Sequence, residues 1–64
     1  MSLTLKVIRI DNLEVGNTVL IGRRIYDVIN IDKDSFGYQL KLRDLNGNFK
    51  THFANFDETI TIEL

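Results

Sequence analysis

The chain has 64 residues, a formal charge of −1 at pH 7, 44% hydrophobic and 27% charged residues, and no cysteine. This composition is too apolar for a disordered chain, holds no apolar run approaching a membrane span, and excludes disulfides, thiolate chemistry and a cysteine metal site. It reads as one small domain over 1–64 held by packing alone, and the near-neutral charge argues against a general DNA-coating protein, so any contact with nucleic acid would be local.

The N-terminal stretch MSLTLKVIRI has one basic residue before Val7, no long apolar centre and no small-residue cleavage site. It therefore does not read as a secretory signal, and a cytoplasmic location is the expectation. Leu3, Leu5 and Val7 fall on one face of a first strand and Ile8 with Ile10 on the other, a phase change that predicts a β-bulge or a strand shared between two sheets. Asp11-Asn12 breaks the run. A second strand follows from Thr18 to Ile21, with turn chemistry at Gly16-Asn17 before it and a tight link at Gly22-Arg23-Arg24 after it. The third strand, Ile25 to Ile31, changes phase again, with Tyr26 and Val28 on one side and Ile29 and Ile31 on the other, which predicts a sharp bend midway. Asp32 to Gly37 is a polar loop carrying one aromatic, Phe36.

Tyr38 to Phe53, YQLKLRDLNGNFKTHF, is the most informative stretch: two alternating runs flank Asn46-Gly47. Asn-Gly best tolerates the two positive φ angles of a type I′ turn, so a two-residue loop is predicted. That loop sets Arg43 against Lys50, Lys41 against His52, Leu42 against Thr51 and Leu40 against Phe53. One face is then apolar, burying Tyr38, Phe49 and Phe53. The other carries Lys41, Arg43, Lys50 and His52, with basic groups directly opposed, an arrangement that is mildly destabilising unless an anion relieves it. Asn55-Phe56-Asp57-Glu58 reads as a single 3₁₀ turn, and Thr59 to Leu64 alternates with Ile60, Ile62 and Leu64 inward.

Six short strands with bends in the first and third predict an all-β fold, a single small, strongly curved antiparallel barrel of five or six strands. The stretch LEVGNTVLIGRRIYDVINID at 13–32 has the pattern of a hydrophobic residue, Val-Gly, a polar residue and Val, followed by a strand that ends in an acidic turn. With the Asn-Gly hairpin and a terminal strand after a short turn, it resembles the SH3-like small-barrel superfamily, which includes Tudor and KOW domains. The resemblance spans about four-fifths of the chain and implies a scaffold rather than an activity. Neither a Tudor aromatic cage nor a basic, glycine-containing KOW core can be matched residue by residue.

The basic face has the geometry of an anion-binding strip of Lys41, Arg43, Lys50 and His52, to which Arg23 or Arg24 could add a guanidinium from the neighbouring turn. The plainer reading is a solvated face neutralised by Glu14, Asp44 or Glu63. Phe36 and Phe56, each in a polar turn, are candidate partner anchors. His52 is the sole histidine, without a nucleophile or an orienting acid assigned by motif. D-K-D-S-F-G lacks the later ligands of a calcium loop, and no phosphate-cradling glycine loop, nucleophile elbow or zinc signature occurs. The reading is a non-catalytic binding module with no cofactor, metal, membrane or small-molecule substrate. Its basic hairpin face would meet an RNA or DNA backbone. Alternatively, a strand edge and loop aromatics would meet a protein partner or a second copy.

Overall fold

A computed structural model describes residues 4–64. The placement of Leu3 on the face of Leu5 and Val7 lies outside them. Six strands form one antiparallel sheet: β1 (Leu5–Arg9), β2 (Thr18–Ile21), β3 (Arg24–Lys33), β4 (Tyr38–Arg43), β5 (Phe49–Ala54) and β6 (Thr59–Glu63). Their order is β1-β6-β2-β3-β4-β5. The last strand therefore sits between β1 and β2 and closes nothing. β1 and β5 are open edges, so the strongly curved barrel expected from the sequence is an open sheet. Among the described residues, no helix is long and apolar enough to cross a membrane.

The sheet nevertheless curls. His52 and Ala54 of β5 line one cavity with Ile21 of β2 and Ile60 of β6, although β5 lies three strands from β2 and four from β6 in the ladder. On a flat sheet those strands would stand about 14–19 Å apart. Curling buries the inner face without a second layer: Leu40 and Leu42 reach 0% exposure, Val19 and Val28 1%, and Tyr26, Ile60, Ile62 and Ala54 join the same cluster. The fit at the start of the hairpin is close. A Cβ on Gly37, whose φ is 152°, would overlap the Ala54 carbonyl oxygen.

The two predicted bends resolve differently. In β3 a bulge lies between Val28 and Asn30, so that Val28 pairs with Leu42 and Ile31 with Leu40. The extra residue returns Ile31 to the face of Tyr26 and Val28, rather than sending it to the other side. In β1 the ladder runs unbroken from Leu5↔Glu63 to Arg9↔Thr59. Its apparent phase change is ordinary alternation: Leu5 and Val7 stay exposed on the outer face, while Ile8, opposite Ile60, packs against the core and Ile10 is buried in a 3₁₀ turn, Ile10–Asn12. Ile10 N–H donates to the Glu58 carbonyl at 2.9 Å, tying that turn to the approach of β6. There Asn55–Glu58 forms the single turn expected, closed by an i→i+3 bond from Glu58 N–H to Asn55 O at 3.2 Å. Leu64, expected inward, is 70% exposed.

Candidate functional site

The register of the β4–β5 hairpin decides where every candidate side chain lies. Asp44 N–H donates to Asn48 O at 2.9 Å and Gly47 N–H to Asp44 O at 3.1 Å. The loop therefore holds three residues, Leu45, Asn46 and Gly47. Gly47 has φ 85°, while among the described residues none other than glycine has a positive φ. A type I′ turn, which needs a positive φ at both central positions, is thus excluded, and the geometry is a three-residue loop with a left-handed glycine at its end. The Asp44 side chain builds it: Oδ1 accepts from the amides of Asn46 and Asn48, both at 2.9 Å, and Oδ2 from Asn48 Nδ2 at 3.5 Å. These bonds, the Asn48 amide first, hold the Asp44 carboxyl below its ordinary value against a desolvation effect that raises it, and the Arg24 charge adds a smaller lowering.

One residue more in the loop moves β5 by one register position. The observed pairs are Arg43↔Phe49, Leu42↔Lys50, Lys41↔Thr51, Leu40↔His52 and Gln39↔Phe53. Lys41 and Arg43 consequently stand on the outer face with Phe49, Thr51 and Phe53, whereas Lys50 and His52 share the inner side with Leu40 and Leu42. The predicted four-residue strip does not exist as one surface. Phe49 and Phe53, expected in the core, are 62% and 69% exposed. Neither Glu14, Asp44 nor Glu63 neutralises Arg43; Asp27, opposite it on β3, lies 3.6 Å from Arg43 Nη2 and also accepts from Thr18 Oγ1 at 3.3 Å.

The remaining cations regroup. Gly22-Arg23 forms a two-residue loop between Ile21 and Arg24, with Gly22 at φ 63° and Arg23 at negative φ, the type II′ pattern that suits a hairpin twist. It brings both Arg23 and Arg24 to a groove of about 520 Å³ whose other wall holds Lys50, Phe49 and Asp44, with Tyr26 between. Lys50 Nζ lies 5.5 Å from the centre of the Tyr26 ring, and Lys41 Nζ 4.9 Å from that of Phe49. Among the described residues, no carboxylate lies within 4 Å of Arg23, Arg24, Lys41 or Lys50.

At the opposite end of β5, Phe36 is 86% exposed. Its turn is fixed by Asp34 Oδ1, which accepts from the amides of Phe36 at 2.7 Å and Gly37 at 3.0 Å. Phe36 and Phe53 line one shallow depression with Tyr38. Phe56, 39% exposed, is engaged within the fold, edge-on to Tyr38 at 5.6 Å with Lys33 Nζ 5.6 Å from its ring centre. His52 lines a cavity of about 290 Å³ with Glu58 as the one carboxylate there. Among the described residues, no three His, Asp or Glu side chains gather to hold a metal ion.

β5 is also an open backbone. Because Asp44 and Asn48 form a hydrogen-bonded pair, alternation makes Lys50, His52 and Ala54 the residues whose amides and carbonyls face β4. Those of Phe49, Thr51 and Phe53 then point away from the sheet. Sequence reasoning missed this row because its two phenylalanines were placed inward. The signal that could have found it was Asp44, an ideal acceptor for loop amides two and four residues on, which favours the longer loop over the Asn-Gly dipeptide alone. Comparison with known proteins gives no relative: no family model matches the chain, and no curated protein or solved structure matches it significantly.

Proposed function

We propose that this is a non-catalytic, cytoplasmic protein-interaction module on an SH3-like scaffold, and that it binds an extended segment of its partner along the open edge of β5. The observation that carries this reading is the coincidence of Phe49, Thr51 and Phe53 on one exposed row with their own main-chain groups turned outward. Main-chain pairing supplies affinity in strand addition, and alternate side chains supply selectivity. Phe36, in the depression it shares with Phe53, extends the row at one end. The SH3-like scaffold is supported by the pattern at 13–32 and by the return of β6 to the side of β2 farthest from β5.

Peptides selected on the chain from a random display library, followed by amide exchange in the complexes, test the reading. Protection should rise at Phe49, Thr51 and Phe53, and Thr51→Pro, which removes an amide facing the open edge, should abolish it with the fold retained. Protection elsewhere, or binding that survives Thr51→Pro, would overturn it.

A nucleic-acid backbone is the second reading, supported by the grouping of Arg23, Arg24 and Lys50 on one groove. Three phosphate contacts to a single strand give a slope of about −2 in log affinity against log salt. Charge reversal of these three should abolish oligonucleotide binding and Lys41→Glu should spare it; binding without that salt dependence counts against this reading.

A further inference from the structure

We infer that the segment added to β5 is acidic, with carboxylates at alternate positions on the inner side and apolar residues between them on the outer side. The inference rests on the strand-addition reading and names the partner's chemistry. A strand laid beside β5 meets two different rows, since neighbouring strands in a sheet share its faces. On the outer side it meets Phe49, Thr51 and Phe53, where apolar side chains cover exposed rings. On the inner side it meets Lys50 and His52, and beyond Phe49 it runs out over the groove that Arg23 and Arg24 line.

The charge on these strands has one sign. β4 and β5 carry Lys41, Arg43 and Lys50 together with His52, and no Asp or Glu. Arg43 is answered by Asp27, and Asp44 at the hairpin loop is taken up by amides. Among the described residues no carboxylate lies within 4 Å of Lys50, Arg23 or Arg24 along the path of the added strand; Asp44, which lines the same groove and feels the Arg24 charge from farther off, is already held by the loop amides. A Lys or Arg on the partner's inner side would oppose these cations, at a cost typical of like charges in facing positions.

The same chemistry disfavours a second copy of this chain. Antiparallel self-pairing about Thr51 would set Phe49 against Phe53 of the second copy, which is favourable. It would also bring the Lys50 of both copies onto one seam to which β4 and β5 contribute no carboxylate. A nucleic acid could use the groove, but it has no main chain to pair with the amides of Phe49, Thr51 and Phe53.

Three synthetic heptapeptides test the inference: alternating Glu-Val, Thr-Val and Lys-Val, each titrated at about 50 and 300 mM salt with amide exchange as the site readout. The Glu-Val peptide should bind at least tenfold more tightly than Thr-Val, protect the three outward amides, and weaken as salt rises. Lys50→Glu combined with Arg23→Glu and Arg24→Glu should transfer the preference to Lys-Val. The matching glutamine variants, which leave the fold with no new charge, should abolish the preference. Equal binding of Glu-Val and Thr-Val overturns the acidic partner and leaves strand addition standing; no protection by any peptide overturns strand addition itself. Protection of these amides that rises with protein concentration alone, measured beside light scattering, assigns the edge to a second copy. Tighter binding of octathymidylate than of Glu-Val, with those amides unprotected, assigns the cations to nucleic acid. Either result refutes the inference.

Discussion

β4 and β5 are two strands of one hairpin with nearly the same alternation, and they meet opposite fates. Leu40 and Leu42 are 0% exposed, while Phe49 and Phe53, one strand over, are 62% and 69% exposed. Hydrophobicity does not explain the difference, since phenylalanine buries at least as much apolar area as leucine. Register does. β4 is flanked by strands on both sides and its inner face lies under the curl. β5 is an edge strand, shifted by the three-residue loop so that Lys50 and His52 take the inner positions. Its aromatic row is turned toward solvent, and this turns a strand edge into a candidate docking surface.

The contrast makes ranked predictions. Leu42→Ala should cost about 2–5 kcal/mol in chemical denaturation, a large share of the stability of so small a domain, because it opens a cavity where nothing can collapse. Gly37→Ala should cost roughly 1–3 kcal/mol, since the new Cβ meets the Ala54 carbonyl and the backbone must move where β4 begins. Gly47→Ala should cost about 1 kcal/mol, because nothing lies within 4 Å of the new Cβ and only the positive φ opposes it. If Gly47→Ala were as damaging as Leu42→Ala, the loop would govern far more than its own register.

A smaller effect is expected at Asp44. Its carboxyl has a lowered value in the folded hairpin, so its contribution is complete above the unfolded value of 3.8 and fades as pH falls through the folded one. Amide shifts of Asn46 and Asn48 followed into acid should report that fading, and Asp44→Asn should remove the titration. The smallest effect belongs to Phe53→Ala, expected within about 0.5 kcal/mol of the parent by denaturation because the ring is already in water. A loss there near that of Leu42→Ala would mean that β5 buries its aromatic row and that the open edge does not exist.

Much of the fold was legible from local pattern. β2 at Thr18–Ile21 matches its predicted span, the hairpin runs lie where alternation put them, and the phase change in the third strand is a bulge. These features are local, set by alternation and turn residues within a few positions. The site was legible only in part. Arg23, Arg24 and Lys50 were singled out and do meet, but Lys41 and Arg43 were joined to Lys50 and His52 through a register wrong by one. Phe36 was singled out as a candidate anchor from its charged loop and is exposed, whereas Phe49 and Phe53 were placed in the core, because an apolar strand residue reads as core unless its facing partner is known.

By itself, the sequence determined that this chain makes short antiparallel strands, that it has no thiol chemistry, and that six of its eight Lys and Arg lie within 23–50. These follow from composition and from period-two alternation, which each segment carries within itself. Tertiary structure alone decided which face each β5 side chain occupies, which strands are edges, and which cations share a groove. The physical reason is that a strand's two faces are exchanged by a single residue of slip. Here the slip was set by whether one carboxylate, Asp44, gathers the loop amides, and edge status by where β6 returns in the sheet.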